Sequence, residues 1–226
     1  MAKLEIPDDI EGLCLARHAE VNPLRPLFTG DVITEVTVPV LGDQSMPVAL
    51  VGHPCAMRKG ADLAPYLHVA PVLSYQPPSA TIWAKHIRVM PIGPIADFPH
   101  GAIQLDQMTL VKSSTLDLSK RVFCATRPGI NLLRQRLVHC LTRVVVPTHL
   151  FDEEAAGAHE EIDLMEDWLD TATSAGLTVA DATATFHQWI RERDGETSRQ
   201  ELLTDPQAVA GIRRAMRAEM RQRYAS

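Results

Sequence analysis

The residues with chemical potential cluster where strand-like sequence gives way to a loop. His53, Cys55, Arg58 and Lys59 fall within one short stretch. A histidine and two cations close to a thiol favour its thiolate. An imidazole that titrates near neutral pH can accept a proton. Together these residues suit a general base or a nucleophile acting on an anionic substrate. The same residues also fit a structural role, with Pro54-Cys55 as a buried turn and Arg58-Lys59-Gly60 as a solvated loop tip. A second run, Trp83-Ala84-Lys85-His86-Ile87-Arg88, mixes an aromatic ring with cations. Lys85 and Arg88 then either line a nucleic-acid groove or blunt an exposed strand edge.

Other chemistries find little support. His53, Cys55, Cys124, His139 and Cys140 are the available soft ligands. His53-x-Cys55 makes a poor knuckle, and adjacent His139 and Cys140 point to different sides of a helix, so no metal is expected. The Walker loop, G-x-G-x-x-G, G-x-S-x-G and H-E-x-x-H motifs do not occur, and no cofactor is expected. The four cysteines form no C-x-x-C pair, which suits a reducing compartment. The start of the chain lacks a signal peptide's basic-then-apolar layout, which points to the cytoplasm.

The elements that must position these residues change character along the 226-residue chain, which is 46% hydrophobic and 22% charged. Asp8 to Glu20 reads as a short amphipathic helix, with Ile10, Leu13, Cys14 and Arg17 at helical spacing. Pro23 and Pro26 mark a linker. Six strand segments follow. The first runs from Asp31 to Val38, the second from Pro47 to His53 and apolar enough to be buried on both sides. The others are Tyr66–Ser74, Ala84–Pro91, Ala102–Val111 and Leu118–Ala125. Pro77-Pro78, Gly93-Pro94 and Pro99 punctuate them. With no helix interleaved, they predict a small, strongly curved antiparallel barrel. From Ile130 to Leu141 the period becomes helical, and Pro147 closes that helix. Further helices are expected over Glu153–Thr173 and Val179–Arg193. A last helix opens at Asp205-Pro206.

Charge divides the chain at about residue 150. Residues 1–150 carry 14 Lys and Arg against 12 Asp and Glu, whereas residues 151–226 carry 8 against 16. The net charge of −6 excludes a protein coated throughout with nucleic-acid-binding cations. Glu160 to Asp170 is an acidic stretch anchored by Ile162, Met165 and Leu169. Five arginines from Arg213 to Arg223 crowd the last helix.

Gly30-Asp31-Val32-Ile33, the turn Gly42-Asp43-Gln44-Ser45 and the apolar strand Pro47-Val48-Ala49-Leu50-Val51 resemble the opening of the PemK/MazF family. Members of that family are growth-inhibiting toxins of bacterial toxin–antitoxin pairs. Val69–Ser74 resembles the family's third strand, and Leu105-Asp106-Gln107-Met108 with Lys120-Arg121 resembles a later one. Ile130–Leu141 corresponds to the closing helix. The likeness covers about residues 30–145. It implies an SH3-like barrel that dimerises, binds single-stranded RNA and cleaves it without metal. The family's acid falls on Asp43 or Gln44 and its threonine on Ser74. The family's arginine, which precedes the second-strand proline, falls on Met46. A thioether cannot stabilise charge developing on a phosphate, and losing such a group costs a factor of about 100 or more.

The expected protein is therefore α+β. An N-terminal helix and linker occupy 1–24, a small SH3-like antiparallel β-barrel with its closing helix 25–146, and a helical region 150–226. His53, Asp43 and Ser74 are the catalytic candidates. Gln44, Arg58, Lys59, Lys85 and Arg88 are the RNA contacts. The leading reading is a toxin-like growth inhibitor or RNA-binding barrel, a metal-independent endoribonuclease if active. In it, the acidic segment Glu160 to Asp170 either serves as an antitoxin-like mask in cis or turns its acids to water while Ile162, Met165 and Leu169 form the core of a helical subdomain. The alternative is a non-enzymatic regulatory module, of a kind suited to phages or mobile elements, that binds a host protein.

Overall fold

The computed structural model describes residues 3–59, 62–76, 83 and 87–224. Its contacts divide the chain into two units. The first comprises Met1–Pro23, Leu27–Met57 and Leu63–Glu153; the second comprises Leu24–Pro26, Arg58–Asp62 and Glu154–Ser226. The class is α+β, with a nearly closed antiparallel barrel and a helical C-terminal region.

Eight strands form the barrel sheet: β1 Cys14–Arg17, β2 Val32–Val38, β3 Gln44–Leu50, β6 Tyr66–Ser74, β7 Val89–Ile95, β8 Phe98–Gln104, β9 Thr109–Lys112 and β10 Arg121–Ala125. The intervening β4 (Arg58–Lys59) and β5 (Asp62–Leu63) form a separate pair. The strand order is β1-β10-β2-β3-β6-β8-β7, with β9 also on β6. On one edge β6 pairs with β3, Val48 opposite Pro71 and Leu50 opposite Val69. Its other edge is shared, β9 lying along Tyr66–Val69 and β8 along Val72–Ser74. A 3-10 turn at Leu105–Gln107 separates β8 from β9 and bends the sheet. Alternation along the central strands buries both faces. Ala49, Ala70 and Val72 join a cluster with Leu132 and Leu133, while Val48, Leu50 and Val69 join one with Leu67 and Val111.

Helix α1 is the short Pro54–Met57, and α2, Arg127–Thr142, packs on the barrel. The Thr126 hydroxyl caps α2 by accepting from the Gly129 amide. A Cβ on Gly129 would meet the Leu13 carbonyl at 2.6 Å, so only glycine lets the helix start this close to the chain before β1.

Two interactions, the first of them buried, hold the barrel's ends together. Gly30, with φ of +89°, leaves no room for a Cβ beside Ala125. Asp31 follows it, and its Oδ2 accepts from the Arg121 guanidinium and the Phe28 amide, each at 3.0 Å. Arg121 donates its other terminal nitrogen to the Asn22 carbonyl at 2.8 Å, and both charged side chains are only 2% exposed. β10 is thereby fixed to the start of β2 and to the segment leading into it. Between the terminal strands β1 and β7, Arg17 donates to the Ile92 carbonyl at 3.2 Å and to Glu11.

Several sequence expectations change. The helix expected over Asp8–Glu20 is a 3-10 turn followed by β1, because Ala16 and Arg17 ladder with Cys124 and Phe123. Helical spacing of four apolar or amphipathic residues did not outweigh an available strand partner. Gly93-Pro94 does not end a strand. Gly93, at φ +79°, sits in an irregular stretch of β7, and the hairpin turns at Ala96-Asp97. A strand at the end of the sheet tolerates prolines because one side of it needs no donors. Ala102–Val111 is split between β8 and β9. Where a loop is expected after His53, the structure has α1 and the β4–β5 pair. Pro147 precedes the next helix, since α2 already ends at Thr142 with Arg143 in a left-handed conformation.

The second unit is built mainly from helices. α3 runs Thr148–Ser174 and belongs to this unit from Glu154 on, followed by α4 Val179–Arg191, α5 Arg199–Leu202 and α6 Pro206–Tyr224, with a β11–β12 hairpin (Arg193–Asp194, Thr197–Ser198) before α5. Thr178 caps α4, and Ser198 with Glu201 forms a capping box on α5. Trp168 of α3 stacks on Trp189 of α4 at 5.5 Å and meets Phe186 edge-on at 6.0 Å. Among the described residues no helix is long and apolar enough to cross a membrane.

His187 lies buried in this unit, and neither ring nitrogen has a hydrogen-bond partner among the described residues. Burial first, and then the charges of Arg191 and Arg58, push its pKa down to about 4. The folded protein thus favours the neutral ring, whereas the unfolded chain protonates near 6.5. His187 should make no pH-dependent demand on stability above about 6.5, and should destabilise the fold progressively as pH falls towards 4. Chemical denaturation between pH 7 and 4 should show a loss on the order of 2–3 kcal/mol from this source. His187→Leu should flatten that part of the profile.

Candidate functional site

The strand register sorts the expected catalytic residues by position. Asp43, in a left-handed conformation after Gly42, and Gln44, which opens β3, are exposed at one end of that strand. Ser74 closes β6, and the antiparallel β3–β6 register runs that end of β6 towards the Gln44 end of β3. His53 lies beyond the opposite end of β3, whose seven residues span about 20 Å. Asp43, Gln44 and Ser74 therefore share an end of the sheet, and His53 does not.

The expected cations are dispersed. Arg88 is largely exposed and lies 3.9 Å from Asp106. Arg58 belongs to the helical unit, where its guanidinium approaches the Met165 sulfur at 3.7 Å. Lys59 contributes its backbone to β4. Lys85 lies outside the described residues.

Met46 pairs with Val36 across β2 and β3 and packs partly buried against the barrel core. It also lines a cavity of about 360 Å³ together with Glu35, Pro47, Asp97 and Phe98. Glu35 takes a left-handed conformation where the β2–β3 register shifts, and its carboxylate pairs with Lys120 at 2.8 Å. The position expected to carry a phosphate-binding arginine thus offers a thioether beside two acidic side chains. A carboxylate such as that of Asp97 repels a phosphodiester, whereas the charge of Glu35 is offset by Lys120.

Beyond the other end of β3, sequence reasoning missed one participant. Arg134 of α2 is half-buried, and its Nη2 has no hydrogen-bond partner among the described residues. Its charge acts on both His53 and Cys55. Nothing in the spacing signals this grouping, since 81 positions separate Arg134 from His53 and only the packing of α2 brings them together. The His53 carbonyl accepts from the amides of Ala56 and Met57, which fixes α1 beside it. Its Nδ1 accepts from the Cys55 amide at 3.3 Å. In the neutral ring, that leaves the proton on Nε2. Burial and then Arg134 hold the His53 pKa below its ordinary value. The group accordingly presents a neutral N–H donor, an exposed thiol and a guanidinium.

A larger cavity of about 680 Å³ lies at the starts of α2 and α3. Many of its polar groups are engaged with one another. Asp152 accepts from Asn131 and Arg127, and Glu5 accepts from the Thr148 amide and hydroxyl and from Gln135. These bonds, all within the first unit, tie the chain before β1 to α2 and to the start of α3. Among the described residues, no group of three or more histidine, cysteine or acidic side chains is arranged to hold a metal ion.

No protein-family model and no curated protein matches the sequence. Among solved structures, the chain is similar to an endoribonuclease in complex with its cognate antitoxin from a mycobacterial species. The identity is 14% and the TM-score 0.39, covering 54% of this chain and 100% of that one. A likeness at that level assigns neither activity nor partner.

The coupling between Arg134 and His53 is measurable. In an NMR titration the His53 imidazole should ionise below pH 6.5, and Arg134→Gln should move its midpoint upward. An unchanged midpoint in the variant would dissolve this group as a site.

Proposed function

We propose that this chain is a toxin-like barrel protein that acts by holding a partner protein, not by cutting RNA with the PemK/MazF family's own chemistry. The supporting observation is the environment of Met46. The cleavage implied by the sequence resemblance needs a cation where charge develops on the phosphate, and an oriented donor there is commonly worth two or more orders of magnitude. Here that position is apolar and flanked by Glu35 and Asp97. Several barrel cations are also already committed: Arg17 to Glu11, Lys120 to Glu35, Arg121 to Asp31 and Arg127 to Asp152. Growth inhibition through a bound host protein needs none of them free.

A second reading has one specific observation in its favour. Arg134 supplies, near His53, a guanidinium nitrogen without a partner. A ribonuclease built on this barrel could use Arg134 and the neutral Nε2–H of His53 as hydrogen-bond donors to the phosphate oxygens, with water taking the 2′-hydroxyl proton and returning one to the leaving oxygen.

Induced expression in bacteria separates the two. The proposal expects growth arrest with intact total RNA and a host protein that co-purifies with the chain. RNA fragmentation that persists in wild type and disappears in Arg134→Gln and His53→Ala would instead establish the second reading.

A further inference from the structure

The sequence shows five arginines crowded near the C-terminus, and the structure divides them into two groups. Arg213 pairs with Glu160 at 2.7 Å, and Arg223 pairs with Glu219 one turn back on the same helix. Arg214, Arg217 and Arg221 are exposed, and no hydrogen bond or ion pair engages them among the described residues. At positions i, i+3 and i+7 they lie within about 60° of one another around α6, and the row is about 10 Å long. Three acids of α3 are engaged by other cations, Asp163 and Glu166 by Arg25 and Glu160 by Arg213, while Asp167 and Asp170 flank Thr171.

This row borders a cavity of about 300 Å³ lined by Thr171, Arg217, Met220, Arg221 and Tyr224. The phenol is held in place from behind, with its ring edge-on to Trp168 at 6.0 Å and its hydroxyl 3.4 Å from that of Thr185. A fixed aromatic ring and a thioether sharing a cavity with two unpaired guanidinium groups match the two halves of a nucleotide. Planar guanidinium groups fit phosphate oxygens, and an aromatic wall accepts the flat face of any base. An acidic peptide would satisfy the cations but would have no group suited to the ring.

We infer that this face of α6 is a single-stranded nucleic-acid contact, in which Arg214, Arg217 and Arg221 hold successive phosphates and the cleft beside Tyr224 receives a base. The inference is independent of the barrel's mode of action, because it uses only residues of the helical unit.

The test is fluorescence anisotropy of a fluorescein-labelled 12-nucleotide oligouridine RNA with the full chain, between 50 and 200 mM salt. Three phosphate contacts on a single strand predict a log–log salt slope steeper by about 2, an affinity loss of roughly twenty-fold across that range. The variant R214Q/R217Q/R221Q keeps helix-compatible residues at exposed positions, and should lose that dependence and bind at least ten-fold more weakly. Arg217→Gln alone should remove about one third of the slope, and Arg143→Gln, on α2's C-cap, should change nothing. Undetectable RNA binding at 50 mM salt would overturn the inference. So would binding that survives the triple substitution, or a preference for an oligoglutamate peptide over the RNA.

Discussion

The ion pair between Asp31 and Arg121 is the constraint on which the rest of the barrel depends. It lies almost wholly out of solvent, and it joins strands far apart in sequence. Taking two charges from water is costly, and the cost is met only where the remaining hydrogen-bonding positions are also filled. Here the Phe28 amide fills one on the carboxylate, and the Asn22 carbonyl fills one on the guanidinium. The pair therefore fixes a loop, the first strand of the β2–β3 hairpin and β10 in one geometry. Gly30 serves the same junction, because its left-handed backbone and missing side chain let the chain pass against Ala125.

Because the junction holds β10 in place, α2 follows from a fixed origin, and its Arg134 reaches the end of the sheet near His53. The other end carries Asp43, Gln44 and Ser74, near the carboxylate-flanked Met46 cavity. A single barrel thus presents two chemically different ends. One has neutral donors, a thiol and an incompletely bonded guanidinium. The other has acids and a thioether. The helical unit is organised by a different principle, the stacking of Trp168, Trp189 and Phe186, and it contains the three unpaired arginines of α6. Nucleic-acid recognition and barrel function can on this view be separate properties of one chain.

Much of the barrel was legible in sequence because β-branched alternation and turn residues are local signals. Val32–Val38 and Tyr66–Ser74 fall close to their expected bounds, and of the second strand, expected over Pro47–His53, Val48–Leu50 are buried on both faces of β3. The closing helix and Asp205-Pro206 were readable from period and cap. β1 was not, since its Ile10, Leu13, Cys14 and Arg17 spacing satisfies a helix equally well and only its partner β10 decides the matter. Gly93-Pro94 misled for a related reason: a bulge and a turn both need an unusual glycine. For the site, residue types were legible and their grouping was not. The Gly30-Asp31 motif that suggested the family proves to be a structural junction, whose partner Arg121 lies ninety positions on. Arg134 joined His53 only through packing.

The central claim is that the Asp31–Arg121 junction holds the barrel together, and a double-mutant cycle in chemical denaturation tests it most directly. Removing either partner alone, as Asp31→Asn or Arg121→Met, should cost about 3–5 kcal/mol by leaving a buried charge uncompensated, and the double variant should cost much less than the two losses combined. Additive losses, or single losses below about 1 kcal/mol, would show that the barrel closes without this pair.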